Sequence, residues 1–376
     1  MNKIGFSLIE IILATAVSMI VFVFVFYFLT TISLQKKYPE SPILLNEFNY
    51  SNNYCQLKND YKNISTYKDV DLGKYISTST PITSINIFRK NTLIVTTNSA
   101  STTEPDIFLF DLSNMNLIKS LNTGPGLTDA ILNDNYLYAI NNSVNSHIQT
   151  FTITTGDVYK ISDFRIDELS INYSLPKSIY LINTDTPKLI IGSEKNNLGS
   201  ELFIIDLNDH IPYLISNTVE IDGQVNDIYF ANDYLYIANA NDNELLVYDK
   251  DLNYINLYNA PMTLGNGKSV YYINPFVLLG RTVASFELNI LSTDNNLLTL
   301  ISKYSTQGTI DYIEPLIDNY LFMTNYSPGE LLFMDKNFKI LGRVNVPARV
   351  NAYTCMNDSL IIANIINNKS HIIWLK

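Results

Sequence analysis

The sequence predicts an all-β body, a seven-bladed β-propeller, preceded by a single N-terminal transmembrane α-helix. Three observations carry this reading. One long apolar run lies near the N-terminus, and the body consists of short runs of Tyr, Ile, Val, Phe and Thr separated by Asn, Asp, Gly and Ser. A repeat of about 40–50 residues then runs through that body.

From Ile11 to Leu29 only Thr15 and Ser18 interrupt the apolar run. A helix from Phe6 to Lys36 would reach about 46 Å, more than the ~30 Å of a hydrocarbon core. The run ends in Phe24-Val25-Phe26-Tyr27-Phe28-Leu29, without the small-residue pair of a signal-peptidase site, so it is expected to stay as an anchor. Lys3 precedes the run and the bulk of the chain follows it, which places the N-terminus inside and the body outside the inner (cytoplasmic) membrane. Lys36 and Lys37 on the outer flank oppose that orientation weakly. Glu10 is the anomaly. A carboxylate in such a run costs up to about 2.5–3.5 kcal/mol at mid-membrane, and less near its ends.

Gly5-Phe6-Ser7-Leu8-Ile9-Glu10 resembles the processing motif of type IV pilins and pseudopilins, over about the first thirty-five residues. The resemblance implies cleavage between Gly5 and Phe6 by prepilin peptidase and methylation of the new Phe6 amine. It also implies that Glu10 neutralises the Phe6 amine of a neighbouring pilin-like subunit, which agrees with the cost of leaving either charge unpaired in lipid. The plainer alternative is an anchor whose Glu10 lies in the headgroup zone. Pro39 and Pro42 stop the helix where a pilin stem would continue, and the body is unlike the small α/β head of a major pilin. The chain is therefore divided into a leader (1–5), a pilin-like transmembrane helix (6–37), a connector (38–63) and the propeller (64–376).

One four-stranded unit reads clearly as Val225–Phe230, Asp233–Asn239, Glu244–Asp249 and Tyr254–Tyr258. Its second strand recurs at Leu93, Leu137, Leu189, Leu235, Val277, Leu321 and Leu360, in steps of 44, 52, 46, 42, 44 and 39, which sets the blade count at seven. Its third strand recurs as runs closed by Asp111, Asp206, Asp249 and Asp335, which read as turn-capping residues. The pattern resembles the LVIVD-type repeat of bacterial and archaeal surface propellers. The last repeat has room for three strands only, so the segment from Thr66 to Lys74 is expected to pair antiparallel with Ile372 to Lys376 and close the ring.

Lys and Arg total 25 against 36 Asp and Glu, a net charge of −11, which argues against nucleic acid as a partner. His147, His210 and His371 stand alone in their repeats, and no nucleophile elbow, phosphate loop or metal-ligand spacing is present. No catalytic residue, metal or cofactor is assigned, and the protein is not expected to be an enzyme. The cluster Asn239-Ala240-Asn241-Asp242-Asn243 lacks the Gly and Glu of an EF-hand loop and reads as a turn.

A stem joined to the start of the closing outer strand would hold the second-to-third-strand loops away from the membrane. Those loops supply the candidate binding residues Asn141, Asn142, Asn239, Asn241, Asp242 and Asn325. Cys55 and Cys355, the only cysteines, form one candidate disulfide that would clamp the connector beneath the propeller. Two unlinked thiols are the alternative.

The expected function is that of a non-major pilin-like or pseudopilin-like membrane and cell-surface protein. Its propeller head would serve binding or assembly in a type IV pilus or a type II secretion-like system. Prepilin peptidase, other pilin-like subunits and an extracellular protein or glycan are the expected partners. One rival is an anchored propeller hydrolase or lyase, whose cue would be acids or histidines not shared between repeats and converging at the channel mouth. The other is a tethered adhesin that never polymerises.

Overall fold

Short stretches of β-branched and aromatic residues joined by tight turns leave each hairpin with two apolar faces, and only stacking against its neighbours covers both. The computed structural model shows this solution. It describes Leu57 and residues 64–376, apart from 76–79, 143–145, 167–173, 184–185, 196–198, 241–243, 260–264, 283–285, 294–297, 317, 326–327 and 357. The leader, the apolar helix and nearly all of the connector lie outside the described residues, and with them Gly5, Phe6, Glu10 and Cys55, as do Asn241 and Asp242. Among the described residues no helix is long and apolar enough to cross a membrane.

The first strand is β1 (Thr66–Asp71). Blade 1 comprises β2 (Ile82–Phe88), β3 (Thr92–Thr97), β4 (Ile107–Asp111) and β5 (Leu117–Leu121), and blade 2 β6 (Leu127–Asn133), β7 (Tyr136–Asn141), β8 (His147–Ile153) and β9 (Val158–Arg165). Blade 3 comprises β10 (Ser174–Ile182), β11 (Lys188–Lys195), β12 (Gly199–Asn208) and β13 (Ile211–Ile221), and blade 4 β14 (Val225–Ala231), β15 (Tyr234–Asn239), β16 (Leu245–Asp249) and β17 (Tyr254–Tyr258). Blade 5 comprises β18 (Gly267–Ile273), β19 (Phe276–Arg281), β20 (Leu288–Ser292) and β21 (Thr299–Tyr304), and blade 6 β22 (Ile310–Pro315), β23 (Asn319–Thr324), β24 (Glu330–Asp335) and β25 (Ile340–Asn345). Blade 7 is made by β26 (Ala352–Met356), β27 (Ser359–Ile366), β28 (Lys369–Leu375) and, as its outer strand, β1.

All seven expected second strands, and all four expected third strands, fall where the repeats placed them. The closure does too: β1 runs antiparallel to β28, with Thr66 opposite Leu375 and Asp71 opposite His371. Backbone bonds continue past both ends of this ladder, from Leu72 to Ser370 and between Ser65 and Lys376.

Four hairpins turn on two consecutive residues with positive φ, Arg89-Lys90, Asp209-His210, Asn232-Asp233 and Asn367-Asn368. This conformation matches the right-handed twist of the flanking strands.

The buried apolar residues form seven clusters, one at each junction between adjacent blades. Leu57 belongs to the cluster between blades 6 and 7, where it packs with Val346, Val350 and Leu360, beside the partly buried Cys355. Cys355 is disulfide-bonded, and Cys55 is the only other cysteine in the sequence.

Candidate functional site

The second-to-third-strand loops were expected to carry the binding residues. Asn141 and Asn239 are buried there, 2% and 0% exposed. Their side-chain amides donate to the carbonyls of Gly124 (3.4 Å) and Asp222 (2.7 Å) in the loops entering blades 2 and 4. Asn364 does the same in blade 7 with Ala348 (3.0 Å). Asn325 accepts from the Thr309 N–H (2.9 Å), and both it and Asn142 are half-buried. Asn141, Asn239, Asn325 and Asn364 thus tie the second strand or the residue after it to the loop that enters the blade.

Beside them, at the start of the third strand, a carboxylate recurs in blades 1, 3, 4, 5 and 6. These are Asp106, Glu201, Glu244, Glu287 and Glu330, all buried. Asp106 accepts from the Thr123 N–H (3.1 Å) and Glu287 from the Thr306 N–H (2.8 Å), while Glu330 pairs with Arg343 (2.7 Å). Burial pushes Asp106 up to about 6 against these bonds.

Of the strand-closing aspartates, three cap turns as expected. Asp111 accepts from Ser113 and Asn114, Asp249 from Asp251 and Asn253, and Asp335 from Asn337 and Lys339. Asp206 departs from the pattern because β12 continues to Asn208, so its carboxylate instead meets the Ser216 hydroxyl (2.9 Å) and Lys188 (3.2 Å).

The histidines remain apart. His147 meets Asp163 (2.8 Å), His371 meets Asp69 (2.9 Å), and His210 stacks on Tyr136 with ring centres 4.2 Å apart. Among the described residues no group of three His, Cys, Asp or Glu side chains is arranged to hold a metal ion.

A set of acids that the sequence reading did not assemble lies on the inner strands. In six blades the innermost strand carries a register shift, in five of them just after its first residue, as between Leu127 and Asp129 and between Val225 and Asp227, and in blade 3 between Pro176 and Ser178. Such a bulge re-aims the next side chain. Asp129 thereby accepts the N–H of Ile179 in blade 3 (3.3 Å), and Asp227 that of Val270 in blade 5 (2.9 Å). Glu314 of blade 6 accepts the Tyr353 hydroxyl of blade 7 (2.8 Å). Carboxylates therefore stitch blade 2 to 3, 4 to 5 and 6 to 7.

Tyrosines occupy the same inner ring. Tyr229 lies between Tyr180 (6.0 Å) and Tyr271 (4.6 Å), and Tyr312 packs on Tyr353 (5.2 Å) while donating its hydroxyl to the Asn351 carbonyl. Desolvation raises the Tyr312 hydroxyl most, and the fields of Asp129 and Asp227 reach it across the ring, while Asp227 also raises Asp129. Desolvation pushes Asp129 up to about 7, Asp227 to about 6 and Glu314 to about 7, in each case against hydrogen bonds that favour the charged form.

A pH dependence follows. These carboxyls bind protons more tightly folded than unfolded, so stability falls as pH rises through the range from about 4 to about 7. The head should melt at a higher temperature at pH 5 than at pH 8. Thermal melts across that range on wild type and on Glu314→Gln check this. The variant should flatten the dependence, and an unchanged slope would remove Glu314 from the account.

Seven four-stranded blades closed by a strand from the opposite end of the chain define the class: the head is a β-propeller. No family model and no curated protein matches the sequence. Among solved structures the chain is similar to the crystal structure of Ika8, a computationally designed protein, with a TM-score of 0.53 at 10% identity over 80% of this chain and 98% of that one. At that identity the likeness is one of fold alone.

Proposed function

We propose that this is a pilin-like or pseudopilin-like membrane protein that displays its propeller outside the cell membrane for binding or assembly. The observation that carries the reading is the Gly5-Phe6…Glu10 motif at the head of an apolar run, placed ahead of a propeller. The disulfide at Cys355 supports an oxidising compartment for the head. N-terminal mass spectrometry of the protein from native membranes should find a mature chain beginning at Phe6. An intact Met1-to-Gly5 leader would end the pilin reading. Blocking cleavage at Gly5 and following whether the head still enters filaments separates an assembling subunit from a tethered adhesin.

One observation favours the rival enzyme. Asp129 and Glu314, held near neutrality, come from different blades and are not repeated in every one. Loss of a hydrolytic or lytic activity in Asp129→Asn, with folding retained, would establish that reading.

A further inference from the structure

The repeat brings the same three positions together at each junction on the second-to-third-strand face. Between blades 4 and 5 they hold Glu244, which precedes β16, Arg281 at the end of β19, and Asn289 on β20. Between blades 1 and 2 they hold Asp106, Asn141 and Gln149. The register fixes this correspondence. Thr97 donates its N–H to the Asp106 carbonyl as Asn239 does to that of Glu244, and Asn141 stands opposite Leu127 as Arg281 stands opposite Gly267. Gln149 lies two residues before the partner of Leu137, as Asn289 lies two before the partner of Val277.

A buried carboxylate needs a positive partner or a proton. Glu244 has the Arg281 guanidinium, and Glu330 has that of Arg343. Asp106, fully buried, forms no ion pair among the described residues, and the charge that bears on it is Glu104, a like one. Glu104 is itself half-buried and bonded to the Ser99 hydroxyl (3.2 Å), so Asp106 is the enclosed carboxylate of this junction. The undescribed stretch that follows Asn142 reads Ser-Val-Asn and holds no basic residue.

Oxygen atoms border the place that the guanidinium takes between blades 4 and 5. Asp106 Oδ2 accepts the Thr123 N–H (3.1 Å), Gln149 Nε2 donates to the Thr123 carbonyl (3.2 Å), and Asn141 Nδ2 donates to the Gly124 carbonyl (3.4 Å). Asp106 and Gln149 therefore end on one residue. Their second oxygens, Oδ1 and Oε1, are shielded from solvent and accept no hydrogen bond among the described residues. The Ser99 N–H favours the charged form of Asp106 without completing a bond to it. Asparagine is shorter than arginine, and aspartate than glutamate, which leaves room between these oxygens.

Two buried acceptors beside a carboxylate suit a hard cation. One positive charge balances Asp106 as Arg281 balances Glu244, whereas a divalent ion would leave surplus charge in a space shielded from water. We propose that the junction of blades 1 and 2 binds a monovalent alkali cation, Na+ or K+, on Asp106 Oδ1 and Gln149 Oε1. The site goes beyond the display role proposed above and does not depend on the anchor, because it is built entirely within the propeller.

The test is thermal unfolding of the full-length protein in non-ionic detergent, in the chlorides of sodium, potassium, calcium and choline at one ionic strength. For one ion bound to the folded state alone, the folded-to-unfolded ratio rises about tenfold with each tenfold rise in Na+ or K+ above the dissociation constant. Choline, too large to enter, should give no such rise. Asp106→Asn should abolish the dependence. Asn141→Arg should abolish it as well and melt no lower in choline than wild type, because it supplies the charge covalently. Should Asp106→Asn not fold, Gln149→Met takes its place and should weaken the ion about tenfold. The proposal fails if wild type unfolds alike in Na+, K+ and choline, if calcium alone stabilises it, or if the dependence persists in these variants.

Discussion

Replacing Arg281 with alanine is expected to destabilise the head by about 3–5 kcal/mol, because it leaves Glu244 buried and unpaired at the junction of blades 4 and 5. Both side chains are almost fully enclosed, at 2% and 1% exposure, and the pair is bidentate: Nε lies 2.5 Å from Oε2 and Nη2 2.6 Å from Oε1. Arg281 also donates to the Phe286 carbonyl (3.3 Å). The blades approach closely here, since a Cβ on Gly267 would lie 2.0 Å from the Glu244 carbonyl oxygen, so little room exists for water to replace the guanidinium. Burial raises the Glu244 pKa while Arg281 lowers it, and without Arg281 only the raising influence remains. The variant should therefore recover part of its loss at acidic pH, where Glu244 takes up a proton. The double variant Glu244→Leu/Arg281→Met should recover most of it at any pH. Denaturant unfolding of the three proteins decides the point: equal losses in the single and double variants would show that the charges as such are not what is missed.

Removing the closing strand should have a larger effect still. A head covering residues 53–376 is expected to unfold cooperatively as a monomer, whereas one covering 76–376 should aggregate or pair edge to edge. Without β1, the ladder to β28 is lost, and the buried residues Ile372, Ile373 and Trp374 lie along an open strand edge. Leu72, fully buried between blades 7 and 1, is lost too. Size-exclusion chromatography with light scattering tells the two outcomes apart, and a well-behaved monomer from the shorter head would show that blade 7 holds with three strands.

The architecture was legible in the sequence because propeller strands repeat their chemistry at a nearly constant interval. A Leu or Val marks each second strand, and an Asp closes four of the third strands, so blade number and closure follow from local pattern alone. The inner ring was not legible for the opposite reason. Asp129 and Asp227 look like ordinary polar residues early in a strand. Their role comes from a bulge and from backbone N–H groups 50 and 43 residues further on. A comparison of first strands across the repeats, where Leu127-Thr128-Asp129 and Val225-Asn226-Asp227 correspond, holds the signal. Glu244 and Arg281 likewise read as loop-edge charges, because the partner stands 37 residues away in another blade. Asn141 and Asn239 were singled out as binding residues, and composition does not say whether an amide at such a position faces solvent or an inward carbonyl.

The closing strand and the disulfide share the load on the propeller. Cys355 in β26 is disulfide-bonded and Cys55 is the only other cysteine, so tension applied ahead of Cys55 passes through that bond into the inner strand of blade 7 and bypasses β1. With the bond reduced, the load enters at Thr66 and runs along β1, parallel to the strand axis and perpendicular to its inter-strand bonds, so the rungs from Thr66 to Asp71 are strained together, as in a lap joint, rather than parted one after another like a zipper.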